Sequence, residues 1–257
     1  MRIAIFDSGI GGVTVLKNAL EHLPEAEYLY YADTGNAPYG VKQKHEVMDC
    51  VLRAFEFLSK MDIHAAVVAC NTATSAAIAE LRRRFKFPII GMEPAVKPAL
   101  AGNAGKKILL LATSLTLRES KLEELITALD GRQKIHKHAL DKLVLYAEKF
   151  DFNSDDVAQY IKRELSGVDF EKFETIVLGC THFIYYADII RKMAGKHVAV
   201  IDGNEGTVRN LVSTIKTNFP GAVSGVRKGK ITFYSSGREE PAGRASRLLA
   251  LACPAGR

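Results

Sequence analysis

Short apolar runs alternate with longer segments of helical period along most of this chain. Residues 3–6, 28–31, 65–69, 88–90, 108–111, 175–178 and 198–201 form compact hydrophobic runs bounded by polar or turn-forming positions. That is the pattern of strands buried on both faces. Between them, the segment 43–61 puts Val47, Val51, Ala54, Phe55 and Leu58 on one stripe, and 116–129 does the same with Leu117, Leu122, Leu125 and Leu129. Alternation of this kind predicts an α/β fold with mainly parallel sheets flanked by helices.

Internal punctuation is clearest at Pro94, Pro98 and the loop Gly102-Asn103-Ala104-Gly105. A second strand-like run opens directly afterwards, and each half ends one of its runs in a cysteine. These are Val67-Val68-Ala69-Cys70-Asn71-Thr72 and Val177-Leu178-Gly179-Cys180-Thr181-His182. The repeat predicts two similar, pseudo-symmetric lobes with the active site in the cleft between them. The first lobe is expected over residues 1–97 plus about 205–257, and the second over 98–204.

Composition narrows the class. With 257 residues, 47% hydrophobic and 25% charged, the chain is an ordinary globular protein. No apolar run approaches the ~20 residues of a bilayer crossing, and no secretory signal precedes the first strand, so a cytoplasmic protein without membrane partners is expected. Cys50, Cys70, Cys180 and Cys253 are expected as free thiols. Of the net charge of +6, +5 falls within residues 224–257, where seven Arg and Lys face Glu239 and Glu240. Without interleaved aromatics this reads as a solvated surface, and nucleic acid is disfavoured as a partner.

Cys50, on a helix stripe, has the character of a core residue, and Cys253 carries no context. Cys70 and Cys180 differ, because polar groups follow each sulfur where an apolar core would not put them. A thiol at a helix start is also expected to have a lowered pKa. Facing thiols suit proton exchange at a carbon centre, one removing a proton while the other supplies it. The turn Phe6-Asp7-Ser8-Gly9-Ile10-Gly11-Gly12 allows close backbone approach, and the helix start after it favours an anionic ligand. Its glycines miss the dinucleotide spacing, because Thr14 stands at the sixth position. Asp7 there serves equally as a helix cap or as a group that assists a nearby thiol or binds an ammonium. The loop from Ala32 to Gly40, with Pro38 and Tyr39, can close over a ligand. Neither motif cysteine has a partner at metal-ligand spacing, so no metal is expected.

Together, Phe6-Asp7-Ser8-Gly9-Ile10-Gly11-Gly12, Asp33-Thr34 with Pro38-Tyr39-Gly40, Cys70-Asn71-Thr72-Ala73-Thr74, Glu93-Pro94 and Leu178-Gly179-Cys180-Thr181-His182 resemble the glutamate racemases of the aspartate/glutamate racemase superfamily. The motifs stand in family order and cover the chain to about residue 210. The resemblance implies cofactor-independent interconversion of L- and D-glutamate, without pyridoxal phosphate or metal, supplying D-glutamate for peptidoglycan. It implies that Cys70 takes the α-proton from D-glutamate and Cys180 from L-glutamate, with Asp7 assisting the first thiol, His182 the second, and Glu148 matching the family's assisting glutamate. Substrate contacts carry over onto Ser8, Pro38, Tyr39, Gly40, Asn71, Thr72, Thr113, Thr116 and Thr181, and a homodimer is implied.

The chain departs from the family pattern in its second half. The stretch Asp141-Lys142-Leu143-Val144-Leu145-Tyr146-Ala147-Glu148 lacks the usual prolines, Phe183 replaces a tyrosine, and Ala112 and Leu115 replace glycines beside Thr113 and Thr116. A racemase for another acidic amino acid such as aspartate is the nearest rival. A catalytically idle binding protein is a second, and a nucleotide-dependent oxidoreductase a third.

Overall fold

A computed structural model describes residues 1–102, 105–129, 131–221 and 229–252. The first half runs β1 (Arg2–Asp7), α1 (Val13–His22), β2 (Glu27–Ala32), α2 (Lys44–Leu58), β3 (Ala65–Val68), α3 (Asn71–Arg84), β4 (Ile89–Gly91) and α4 (Val96–Ala101). The second runs β5 (Lys107–Ala112), α5 (Ser114–Arg118), α6 (Ser120–Ala128), β6 (Ile135–Ala139), α7 (Lys142–Glu148), α8 (Asp155–Glu164), β7 (Phe173–Leu178), α9 (Ala187–Ala194) and β8 (Ala199–Asp202). The chain then continues through α10 (Asn204–Asn218), β9 (Ile231–Ser235), β10 (Arg238–Glu239) and α11 (Ala242–Ala252).

Among the described residues the strands form two sheets, ordered β10-β9-β2-β1-β3-β4 and β6-β5-β7-β8. Every pairing is parallel except β9 with β10. The orders β2-β1-β3-β4 and β6-β5-β7-β8 are the same path traced twice. In each, the strand order reverses between the first and third strands, the crevice where open α/β sheets bind ligands. Asp7 ends β1 and Cys70 follows β3; Thr113 and Cys180 follow β5 and β7. The repeat therefore places one thiol at the corresponding edge of each sheet.

The central strands are apolar throughout because helices cover both faces. Ile3, Ile5, Val67 and Ala69 pack under α1 and α10, while Ala4, Phe6 and Val68 pack under α2 and α3. Helix α2 starts one residue inside the expected segment, since Gln43 and Glu46 form a capping box.

Three elements differ from the pattern read in the sequence. The expected helix 116–129 is broken at Glu119, whose extended backbone (ψ 133°) ends α5 and starts α6. Its buried carboxylate turns instead to Lys44 Nζ at 2.5 Å. Pro98 does not punctuate but lies in α4, whose first turn tolerates a missing N–H. Strand β6 reads Ile-His-Lys-His-Ala because it is a sheet edge, so only β5 pairs with it and no apolar run marks it.

Candidate active site

Cys70 caps α3: its sulfur accepts from the Ala73 amide at 3.4 Å and lies 3.6 Å from Ser8 Oγ. Cys180 is not its equivalent, because a 3-10 segment (Thr181–Tyr186) follows it rather than an α-helix. Its sulfur stands 3.9 Å from His182 Nδ1. His182 Nε2 in turn meets Glu148 Oε1 at 2.7 Å, and the same oxygen accepts from the Ile10 amide at 2.7 Å. The lobes are also joined through Asp7, whose carboxylate accepts from Gly9 N at 2.9 Å and from Thr181 Oγ1 at 3.0 Å. Asp7 is thus not the cap of α1, whose N-cap is Gly12 without a side-chain bond, but braces the first turn and links it to the other lobe.

The thiol pKa expected from a helix start is corrected by the structure. Burial, followed by the neighbouring Asp7 carboxylate, pushes the Cys70 thiol up to about 12, and the amide of Ala73 only partly offsets them. The Cys180 charge raises it further, so each sulfur lies within the other's field. Burial also holds the Asp7 carboxyl above its ordinary range, against the pull of His182. Burial opposes charge on His182, yet its partners Cys180 and Glu148 outweigh that and raise its pKa well above 6.5. Glu148 likewise falls below its usual value because His182 outweighs burial.

The glycines of the first turn also have a different use from the anion cradle expected of them. A Cβ at Gly9 would lie 1.7 Å from Glu148 Oε1, and one at Gly11 would lie 2.4 Å from Thr181 Oγ1 and 2.5 Å from His182 Nδ1. Their missing side chains admit the close approach of the second lobe. A Cβ at Gly40 would likewise strike Thr113 at 2.6 Å, so the loop before α2 also closes on the second lobe.

Thr72, Thr113 and Thr116 form a buried triangle with each hydroxyl pair at 3.0 Å. Asn71 donates to Met92 Sδ at 3.4 Å, which leaves its buried Oδ1 an open acceptor. Pro38 is half-buried at the head of the Tyr39–Val41 turn. Tyr39 does not offer its hydroxyl to the cleft but donates it to Asp33 at 2.6 Å. Cys50 is buried in the first core, and Cys253 lies outside the described residues.

Two tyrosines, one from each lobe, hold the first turn and carried no motif in the sequence. Tyr185 donates to the Ile10 carbonyl at 2.9 Å, and Tyr30 to the Gly9 carbonyl at 2.6 Å. Their one signal was a tyrosine in an otherwise apolar run, where a buried hydroxyl must find an acceptor. Among the described residues no group of His, Cys, Asp and Glu is placed to hold a metal ion, and no helix is long and apolar enough to cross a membrane.

The family model for Asp/Glu/hydantoin racemases matches residues 14–211. A glutamate racemase from Halothermothrix orenii is 49% identical over 241 residues, covering 93% of this chain and 94% of its own. The solved structure of a glutamate racemase isoform from Bacillus anthracis superposes with a TM-score of 0.83 at 30% identity, over 96% of this chain and 93% of that one. The Escherichia coli glutamate racemase, solved with L-glutamate and the activator UDP-MurNAc-Ala, gives 0.80 at 28% identity over 90% and 88%.

Proposed function

Since the chain belongs to the Asp/Glu/hydantoin racemase family, we propose that it interconverts L- and D-glutamate through two thiols and so provides D-glutamate for peptidoglycan. Cys70 removes the α-proton from D-glutamate and Cys180 from L-glutamate. As the Cα–H bond breaks, an S–H bond forms on the attacking thiolate and the electron pair stays on Cα beside the substrate carboxylate. The opposite thiol then gives its proton to the other face and is left as the thiolate, so the sulfurs exchange roles at each turnover. Such a weak carbon acid needs a dry, preorganised site.

The observation that carries this reading is the pair of strand-end thiols with unlike partners, held in one site by the Asp7–Thr181 contact. Cys70 sits beside Ser8 and Asp7 as a neutral thiol, while a cationic His182 stands by Cys180. A base and an acid on opposite faces are what inversion requires. The threonine triangle with Thr181 supplies hydroxyls for the substrate carboxylates, and the open Asn71 oxygen with Ser8 supplies acceptors for its ammonium. Pro38, Tyr39 and Gly40 form the wall over it. The lobes, taken as 1–97 plus about 205–257 and 98–204, close on the substrate, and the working unit is a cytoplasmic homodimer.

Incubating the protein with each enantiomer of glutamate or aspartate in deuterated water tests the reading. Proton NMR is expected to show α-deuterium and inversion with both glutamates, and far slower exchange with aspartate. Faster aspartate turnover would replace the substrate, and no exchange with either would leave a binding protein. Light scattering of the eluting protein checks the dimer.

A further inference from the structure

The Cys180 half of the site has a support that comes from the opposite lobe. Glu148 Oε1 is fully used by His182 Nε2 and the Ile10 amide. Its other oxygen, Oε2, faces Arg244 Nη2 of α11 at 3.9 Å. Arg244 is held in turn by an ion-pair anchor: its Nε lies 3.1 Å from Oε1 of buried Glu240, four residues earlier, in a geometry that makes no hydrogen bond. The Glu240 amide donates to the Phe233 carbonyl at 2.8 Å, which ties this anchor to the edge of the first sheet.

A second contact fixes the same helix to the same loop. Phe150, two residues beyond Glu148, turns through a left-handed backbone (φ 58°). Its ring lies under the guanidinium of Arg247 at 3.8 Å and that of Arg244 at 5.9 Å. Phe150 packs edge-on to Phe152, whose ring lies tilted against Tyr185 with centroids 4.6 Å apart. Two arginines of the basic C-terminal stretch therefore lie over Phe150; Arg247 stays exposed, as expected of a solvated surface, while Arg244 is half-buried and reaches Glu148.

We propose that Arg244 is a positioning residue for the Cys180 half-reaction: it holds the outer oxygen of Glu148 so that the inner one stays committed to His182. The inference rests on the two-thiol reading above. Arg244 touches no reacting atom and acts through Glu148 and His182 only. The charged and titratable groups facing Glu148 are His182 and, beyond it, Cys180 at the head of the 3-10 segment, Asp7 from β1, Tyr30 from β2, Tyr185 and Tyr186, and Arg244 from α11.

The test compares wild type, R244Q and R244K with L- and D-glutamate, each with hydrogen or deuterium at the α-carbon. R244Q is expected to lose about twofold to fivefold in kcat/KM, the range a half-exposed ion pair supplies. A slower proton transfer at Cys180 makes that step more rate-limiting in both directions. The deuterium isotope effect therefore rises for the enantiomer deprotonated by Cys180 and falls for the other. The acid limb of the pH–rate profile moves up by about half a pH unit as Glu148 loses a cation, and R244K restores most of each change. General loosening of the fold would shift both isotope effects alike, and that result, or no shift, overturns the proposal. Should R244Q fail to fold, R244K carries the same paired comparison with a smaller change. A wild type with no interconversion would refute the two-thiol reading instead.

Discussion

Replacing Gly11 by alanine is a sharp test of how the lobes meet. The added Cβ would lie 2.4 Å from Thr181 Oγ1, 2.5 Å from His182 Nδ1 and 2.7 Å from the His182 backbone nitrogen. Ordinary contact begins near 3.4 Å, so the neighbours must retreat by roughly 1 Å. Rotation of a side chain does not relieve this, because one neighbour is backbone and the imidazole is held by Glu148. The second lobe must shift, taking Cys180 and His182 with it. A misplacement of about 1 Å costs on the order of 100-fold in turnover, and overpacking costs about 1–3 kcal/mol. Circular dichroism of either glutamate enantiomer follows interconversion directly, and thermal melting follows stability. Gly206→Ala is the control: nothing lies within 4 Å of its Cβ, and α10 gains about 0.5–1 kcal/mol of helix propensity. If Gly11→Ala keeps its rate within about threefold, the close approach of the lobes at this turn does not govern the chemistry.

Other perturbations read separate parts of the account. Glu148→Gln probes the His182 pair by pH. The Glu148 carboxylate contributes stability above pH 4.5 that is lost as pH falls through its lower folded pKa, and His182 contributes below pH 6.5 and loses it as pH rises through its higher one. The melting-temperature gap to wild type is thus widest between those limits and narrows on either side; a gap growing steadily above pH 6.5 would contradict the assignment. Tyr39→Phe removes a 2.6 Å hydrogen bond to buried Asp33, and urea unfolding is expected to show a loss of about 1–3 kcal/mol. An unchanged midpoint would remove that bond from the loop's framework. Cys50→Ala, in the core of the first lobe, is expected to cost about 1 kcal/mol and leave turnover intact. Loss of activity there would bring a third thiol into the chemistry.

Much of this arrangement was legible because its signals are local. A buried parallel strand announces itself as an unbroken apolar run, and a thiol followed by Asn-Thr or Thr-His stands out at a strand end where an apolar core would not put polar groups. The same motif in both halves implied the repeated path that the two sheets follow. What stayed hidden depends on the other lobe. Gly9 and Gly11 looked like a ligand cradle, because nothing within one turn reveals that Glu148 and His182 fill the space. Cys70 looked like an activated thiol at a helix start, because the helix is local while its burial and Asp7 are tertiary. The break at Glu119 and the inward turn of Arg244 likewise arise from partners 75 and 96 residues away, Lys44 and Glu148.

The central claim is that each sulfur serves one face of the α-carbon, and single-thiol variants test it most directly. Cys70→Ser and Cys180→Ser, incubated separately with D- and L-glutamate in deuterated water, are each expected to lose net interconversion while wild type inverts both enantiomers with label at Cα. Interconversion at the wild-type rate in either variant would contradict the account.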